Sequence, residues 1–168
     1  MTWKNIINLE NLTFRPEHEV ENYKYDLAPS ATAEAMGAKK LGYNVSRLPP
    51  GQFSCPYHFH HSEEELFLVL EGNAILRQAG QFKEVSKGDL IFFTTSPEGA
   101  HQFYNHTQFP FTYLALSTKD DFDVAEYPDS KKIKVMKIKK VFQNGAEVEY
   151  LRDETDPAQY WPQEQLKK

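Results

Sequence analysis

The stretch ELFLVLEGNAILRQAGQFKEVSKGDLIFF, residues 65–93, decides the fold class because it alternates short apolar runs with tight-turn residues. The runs are of strand length and rich in Leu, Ile, Val and Phe, and glycine-containing turns centred on Gly72, Gly80 and Gly88 separate them. This pattern is typical of β-strands joined by short turns. The intervals are too short for the crossovers that parallel strands need, so the stretch predicts antiparallel β-structure.

The same pattern continues outward on both sides. LGYNVSRL and FSCPYHFH precede the stretch, and HQFYN and FTYLALS follow it. About eight strands at this spacing predict an all-β sandwich or barrel. We therefore expect a barrel core over residues 41–117. An N-terminal arm over 1–40 would precede it, and a C-terminal extension over 118–168 would pack on or beside it.

The extension divides into three parts by composition. KDDFDVAEYPDS, residues 119–130, is interpreted as an acidic linker, and KKIKVMKIKKVF, residues 131–142, as one exposed strand in which lysines alternate with apolar residues. Lysine on an edge strand discourages aggregation. We favour this role for the lysines over binding of phosphate or RNA. The last residues, with Pro157 and Pro162, are expected to be polar and loose.

Composition limits the classes of function. The chain has 168 residues and a formal net charge of −5, which predicts one domain without a positive field for nucleic acid or anionic lipid. The longest aliphatic run, LFLVL, is too short to span a bilayer. Cys55 is the single cysteine, so no intrachain disulfide can form. The polar N-terminal residues lack the charged and then apolar pattern of a secretory signal peptide. We expect a cytoplasmic protein with a small-molecule ligand.

Histidines cluster within the predicted strands. Five of the six lie in two groups, and His58 and His60 are two residues apart, so both point to one face of a strand. Glu65 opens the next strand and can face them, and His101 follows a Pro97-Glu98-Gly99 loop. The pattern predicts that these four side chains meet.

Three imidazoles and one carboxylate suit Fe, Mn, Ni, Zn, Co or Cu, whereas Mg or Ca would prefer oxygen ligands alone. Four protein ligands leave one or two coordination positions open for water, substrate or dioxygen. We therefore predict one divalent transition metal ion at His58, His60, Glu65 and His101. Glu64, Glu71 and Tyr113 are candidate acids or bases by proximity only.

Neighbouring polar residues receive other interpretations. By parity, His61 and His106 point away from the site, and Cys55 is expected on the side opposite the metal. Asn105 has the right face for a contact in the site, but an asparagine near a strand end is as often a turn residue.

The spacing His58-x-His60, then Glu65, Gly72, Gly88-Asp89, His101 and Asn105, resembles the two motif blocks of the cupin superfamily over Leu41 to Ser117. The resemblance implies a double-stranded β-helix, or jelly-roll barrel, with one metal inside, often as a dimer. In that family the residues matching His58, His60, Glu65 and His101 ligate the metal. The flanks LPPG and AEYPDS are similar to a subgroup of small bacterial cupins to which sugar-phosphate isomerase activity is commonly attributed.

The chain departs from the cupin pattern at two places. Gly51, taken as the first-motif glycine, is one residue farther from His58 than usual, and Thr94 stands where the second motif has proline. TTSPEGA also lengthens the second-motif loop by two residues. These departures affect the barrel mouth, which sets substrate choice.

Two functions follow. The first is a metal-dependent enzyme on a small polar substrate, with sugar or sugar-phosphate isomerisation named first and dioxygenation close behind. The second is a metal-loaded protein that binds a small molecule without turnover. Both faces of ELFLVL are apolar and need cover, from the N-terminal arm or a second subunit, and we expect a homodimer.

Overall fold

In the computed structural model, which describes residue 3 and residues 5–167, the chain forms fourteen strands and one short helix, α1 (Ala33–Met36). The strands are β1 (Arg15–Val20), β2 (Tyr23–Leu27), β3 (Leu41–Leu48), β4 (Phe59–His60), β5 (Glu65–Glu71), β6 (Asn73–Gln78), β7 (Gln81–Ser86), β8 (Leu90–Phe93), β9 (His101–Tyr104), β10 (Phe111–Thr118), β11 (Val124–Tyr127), β12 (Lys132–Val135), β13 (Lys140–Gln143) and β14 (Ala146–Val148).

The described strands form three antiparallel sheets. One has the order β1-β2-β3-β10-β5-β8, the second β14-β13-β12-β11-β4 and the third β7-β6-β9. The predicted all-β, double-stranded β-helix class is confirmed. FSCPYHFH contributes only the two-residue β4, because residues 54–57 bend instead of extending.

The alternation in β5 places one set of side chains in the core. Phe67 and Val69 are buried, and they pack with Phe93, Phe103 and other core residues between the six-stranded and three-stranded sheets. Gly72 makes the turn to β6 with a φ of +79°, and a Cβ at this position would collide with the carbonyl oxygen of Pro110. This turn therefore requires glycine.

The N-terminal segment packs on the outside of the six-stranded sheet. β1 and β2 pair as a hairpin, and β2 continues the sheet beside β3. Leu70 and Leu114 belong to an outer cluster that Ile7, Leu12 and Phe14 complete. The arm thus supplies part of the cover that the apolar outer face of β5 needs.

The lysine-rich segment differs from the predicted single strand. It forms two antiparallel strands, β12 and β13, joined by a 3-10 turn that ends at Lys139 with a φ of +54°. Lys132 is fully buried, and its Nζ lies 2.5 Å from Glu154 Oε2. The prediction of one exposed strand was wrong because this partner lies 22 positions further along the sequence.

The C-terminal residues are not loose, contrary to the sequence prediction. Trp161 is 4% exposed and packs in a cluster with Tyr23, Phe53, Ile75 and Tyr104. Its indole Nε1 donates to Gln102 Oε1 at 2.7 Å. Within the described part of the chain, no helix has the length and apolar character to cross a membrane.

Candidate metal centre

The four predicted ligands come from three elements that the sheets bring together. His58 and His60 flank the first residue of β4, Glu65 opens β5 and His101 opens β9. An antiparallel bridge joins the backbones of His58 and His101, and Ser117 of β10 pairs with Glu65. The imidazole centroids of His58 and His60 lie 5.2 Å apart, and those of His58 and His101 lie 4.9 Å apart.

One nitrogen of each imidazole is already occupied. Nδ1 of His58 donates to the Pro56 carbonyl oxygen at 2.9 Å, and Nδ1 of His101 donates to the Gly99 carbonyl oxygen at 2.9 Å. Nδ1 of His60 lies 2.5 Å from Asp123 Oδ2. Because a carbonyl or carboxylate oxygen accepts, the proton resides on Nδ1 and leaves Nε2 as the ligand atom.

Glu65 lies between these nitrogens. Its Oε2 is 3.5 Å from His101 Nε2 and 3.9 Å from His60 Nε2. The ligand atoms of His58, His60 and Glu65 all lie within 4.8 Å of one another. Ligands at ~2.1 Å from a metal ion lie ~3 Å apart when adjacent and ~4.2 Å apart when opposite. His58, His60 and Glu65 therefore fit a divalent transition ion after small side-chain adjustments. His101 lies beside this group of three, within 3.5 Å of Glu65, and is not a member of it.

Aromatic rings hold two of the imidazoles. Phe93 stacks on His101 with centroids 3.6 Å apart, and Phe67 meets the same ring edge-on at 5.5 Å. Tyr127 stacks on His58 at 5.7 Å. Burial lowers the pKa of His101 and, with the neighbouring histidines, lowers the pKa of His58 well below its usual value. Both imidazoles are thus neutral, as metal ligation requires.

Sequence analysis did not identify Asp123, which belongs to the segment interpreted as a linker. The residue is fully buried, and its Oδ1 accepts backbone N–H groups of Ser62 at 2.8 Å and Glu63 at 3.2 Å. Burial alone would raise the pKa of Asp123, but the hydrogen bonds and the His60 interaction bring it below its usual value. Asp123 is therefore an ionised carboxylate that orients His60.

The loop over residues 94–100, which departs from the cupin pattern, still places His101 at the candidate metal centre. Residues 97–99 form a 3-10 turn, and Thr94 and Ser96 share a hydroxyl hydrogen bond at 2.8 Å. A Cβ at Gly99 would collide with the Thr94 carbonyl oxygen, so the loop requires glycine there. Replacement of proline by Thr94 therefore does not displace the histidine.

The other polar residues are placed as follows. His61 is half-exposed and lies 3.1 Å from Glu126, and His106 lies 3.9 Å from Glu84, both away from the centre. Asn105 is a turn residue, because its Nδ2 donates to Leu48 and Phe109 carbonyl oxygens and its Oδ1 accepts from Thr107.

Cys55 lies on the metal side, contrary to the prediction. Its Sγ is 3.6 Å from Nδ1 of His58, and it lines the same cavity. The prediction assumed strand alternation through residues that bend. Burial raises the pKa of Cys55 to about 12, so this thiol stays protonated at neutral pH.

A cavity of about 910 Å³ opens in front of the four ligands. Its walls carry hydroxyl, amide and ammonium groups as well as the ligands, which suits a polar small molecule. Tyr113 and Ser46 line it, and Ser46 Oγ donates to Asn44 Oδ1 at 2.7 Å. Glu64 and Glu71, the other candidates by proximity, are exposed outside the cavity.

Comparisons with known proteins agree with this architecture. Residues 44–117 match the family model of the cupin domain. No curated protein matches the chain.

Solved structures match over most of the chain. A candidate sugar phosphate isomerase from Acidithiobacillus ferrooxidans is 22% identical with a TM-score of 0.70, covering 89% of this chain and 94% of that one. A cupin superfamily sugar phosphate isomerase from Silicibacter pomeroyi is 22% identical with a TM-score of 0.71, covering 86% and 96%. A predicted oxalate decarboxylase from Thermotoga maritima is 22% identical with a TM-score of 0.54, covering 67% and 97%.

At these identities the likeness establishes the fold, and the differing names of the neighbours indicate that this fold carries several activities. The chain therefore carries a cupin domain over residues 44–117.

Proposed function

We propose that this cupin is a metal-dependent enzyme acting on a small polyhydroxylated substrate, a sugar or sugar phosphate. The observation that carries the proposal is the set of three imidazoles, each hydrogen-bonded through Nδ1 so that Nε2 is left for a ligand, and the Glu65 carboxylate, which line one cavity of about 910 Å³. His58, His60, Glu65 and His101 would hold the ion. When bound, a divalent transition ion supplies Lewis-acid polarisation of a substrate carbonyl or hydroxyl.

The cavity walls would position the substrate. Tyr113 and Ser46 offer hydroxyl groups, and Asn44 adds an amide. Burial raises the pKa of Tyr113, so its phenol keeps its proton and donates a hydrogen bond instead of acting as a base. Groups of this kind match the hydroxyl and carbonyl oxygens of a sugar.

Isomerisation moves a proton between neighbouring carbons and needs a base. Glu63 is the best-placed carboxylate outside the ligand set, because it is half-buried, lines the cavity and is fixed by the Asp120 amide at 3.0 Å. Burial raises its pKa, which makes its carboxylate a better proton acceptor. We assign it the role of moving the proton. The names of the two sugar phosphate isomerase neighbours support this substrate class.

The test is deuterium incorporation. Metal-free protein is reloaded separately with Fe, Mn, Ni, Co, Cu or Zn and incubated with aldoses, ketoses and their phosphates in D₂O, and exchange is followed by proton NMR. The expected result is exchange at the carbon beside the carbonyl with at least one metal. Consumption of oxygen without exchange would instead identify a dioxygenase.

Variants make this test specific. Loss of exchange is expected in His101→Ala and Glu63→Gln, but only His101→Ala should also lose metal. His61→Ala, a nearby exposed histidine, is the control and should retain both. A metal-loaded protein that neither exchanges nor consumes oxygen, but melts at higher temperature with a sugar phosphate, would be the non-catalytic binding protein.

A homodimer also remains part of the proposal. Edge strand β8 turns Leu90 and Phe92 outward, 64% and 49% exposed, beside Leu68 and Leu66 of β5. The N-terminal arm covers the other end of this face. A second copy would cover the remainder. Light scattering should give twice the monomer mass, and a monomer at micromolar concentration would contradict it.

A further inference from the structure

We propose that Lys134 forms an anion subsite of the cavity, which takes the phosphate or carboxylate group of the substrate. The inference rests on the proposed function, because it specifies that the sugar-like substrate is an anion. Lys134 lies in the lysine-rich segment whose charges the candidate metal centre does not use.

Strand register places Lys134 on the same sheet face as His60. His60 pairs with Ala125 of β11, and Ala125 pairs with Lys134 of β12. Residues directly opposite on neighbouring antiparallel strands point to the same side, so the lysine side chain faces the cavity from about 10 Å away, two strand spacings. Lys134 accordingly lines the cavity together with the ligand histidines.

Lys134 differs from Lys132 in its charged partners. Lys132, two residues earlier on the same face, is bound by Glu154 and by carbonyl oxygens of Tyr150 and Arg152. Among the residues that the structure describes, Lys134 makes no such ion pair, and its Nζ lies 5.2 Å from the Tyr150 ring centroid. A half-buried ammonium beside a cavity without a carboxylate partner favours an anionic ligand.

Neighbouring charges support this assignment. Lys139 also lines the cavity, whereas Lys137 is paired with Asp121. Burial, and then the charge of Lys139, lower the pKa of Lys134, and an anion would relieve both effects. Glu63, which also lines the cavity, accepts the Asp120 amide at 3.0 Å. Lys134 and Lys139 therefore place two ammonium groups on the cavity wall without an ion pair to a described carboxylate.

The test measures binding of two probe anions, inorganic phosphate and malonate, by isothermal titration to the metal-loaded and metal-free protein. Lys134→Met should weaken binding of the preferred anion by about 10- to 100-fold, the value of a lost charge-assisted hydrogen bond. Lys134→Arg should retain it. Lys140→Met removes the same charge at an exposed lysine paired with Glu147, and should bind like the wild type.

The preferred probe distinguishes a phosphate subsite from a carboxylate subsite, and either result supports the proposal. Equal affinity in wild type and Lys134→Met, or absence of binding of both anions to the wild type, would overturn it. Metal content is measured in the same samples. If the wild type holds no metal but shows Lys134-dependent anion binding, the proposed function fails and the subsite stands. If it holds metal without that dependence, only the subsite fails.

Discussion

Nδ1 of His60 lies 2.5 Å from Oδ2 of Asp123, so a residue beyond the cupin domain orients a candidate ligand inside it. The contact joins positions 63 residues apart in sequence. Two backbone amides hold the other carboxylate oxygen, which fixes the direction of the carboxylate. The segment after the domain thus completes the candidate metal centre.

Asp123→Asn tests this positioning role. Asparagine has nearly the same shape but can present an NH₂ group to His60, which disturbs the protonation of Nδ1. We expect metal affinity to fall by about 10- to 100-fold, measured by competition with a chelator, and the visible spectrum of the Co²⁺-loaded protein to change. Asp121→Asn, at an exposed carboxylate of the same segment, is the control. Unchanged affinity and spectrum in Asp123→Asn would remove Asp123 from the centre.

The buried state of His101 predicts a pH dependence for the metal-free protein. Its pKa in the folded chain is below the unperturbed value of 6.5. Between the folded and the unfolded pKa, the unfolded chain binds a proton at this residue and the folded chain does not, so stability falls as pH decreases through that range. The contribution of His101 is at most about 1.4 kcal/mol per pH unit. Urea unfolding between pH 7 and 5 should show a shallower decline in His101→Gln, and an equal decline would contradict the prediction.

Trp161 is expected to contribute strongly to stability. It packs against Phe53 and Phe82 with ring centroids 5.5 and 5.0 Å away and bonds to Gln102. Trp161→Ala should reduce the free energy of unfolding by about 3–5 kcal/mol, measured by denaturant titration. Trp3→Ala, at a tryptophan that is 72% exposed, should have little effect. Similar values for the two variants would show that the C-terminal segment does not close the core.

The buried pair Lys132 and Glu154 gives a fourth prediction. Lys132→Met leaves the Glu154 carboxylate without its cation and should destabilise the fold by about 3–5 kcal/mol in the same denaturant assay. Adding Glu154→Leu should recover most of the lost free energy of unfolding, because two apolar residues then replace the two buried charges. If the double variant does not recover stability, the hydrogen bonds from Lys132 Nζ to the backbone carbonyl oxygens of Tyr150 and Arg152 contribute more to stability than the ion pair does.

Local patterns in the sequence predicted the central strands well. Alternation in residues 65–71 and the turn at Gly72 are properties of neighbouring residues, and the sheets follow them. The convergence of His58, His60, Glu65 and His101 was also predictable, since parity and short loops limit where these side chains point. Their ligation of a metal remains a prediction.

Long-range contacts were not predictable in the same way. Cys55 was placed on the wrong side because strand parity fails where the chain bends before β4. Asp123 looked like a linker residue, and Trp161 like part of a loose end, because their partners His60 and Gln102 lie far away in sequence. Lys132 appeared exposed for the same reason. Each of these residues gains its role only from packing between sheets.

The most direct test of the metal centre is elemental analysis of the purified protein, combined with chelation and reloading. We predict close to one equivalent of a transition metal after reloading, a lower melting temperature after chelation, and loss of metal in His58→Ala and His101→Ala but not in His61→Ala. A wild-type protein that takes up no transition metal and melts at the same temperature with and without chelator would contradict the account.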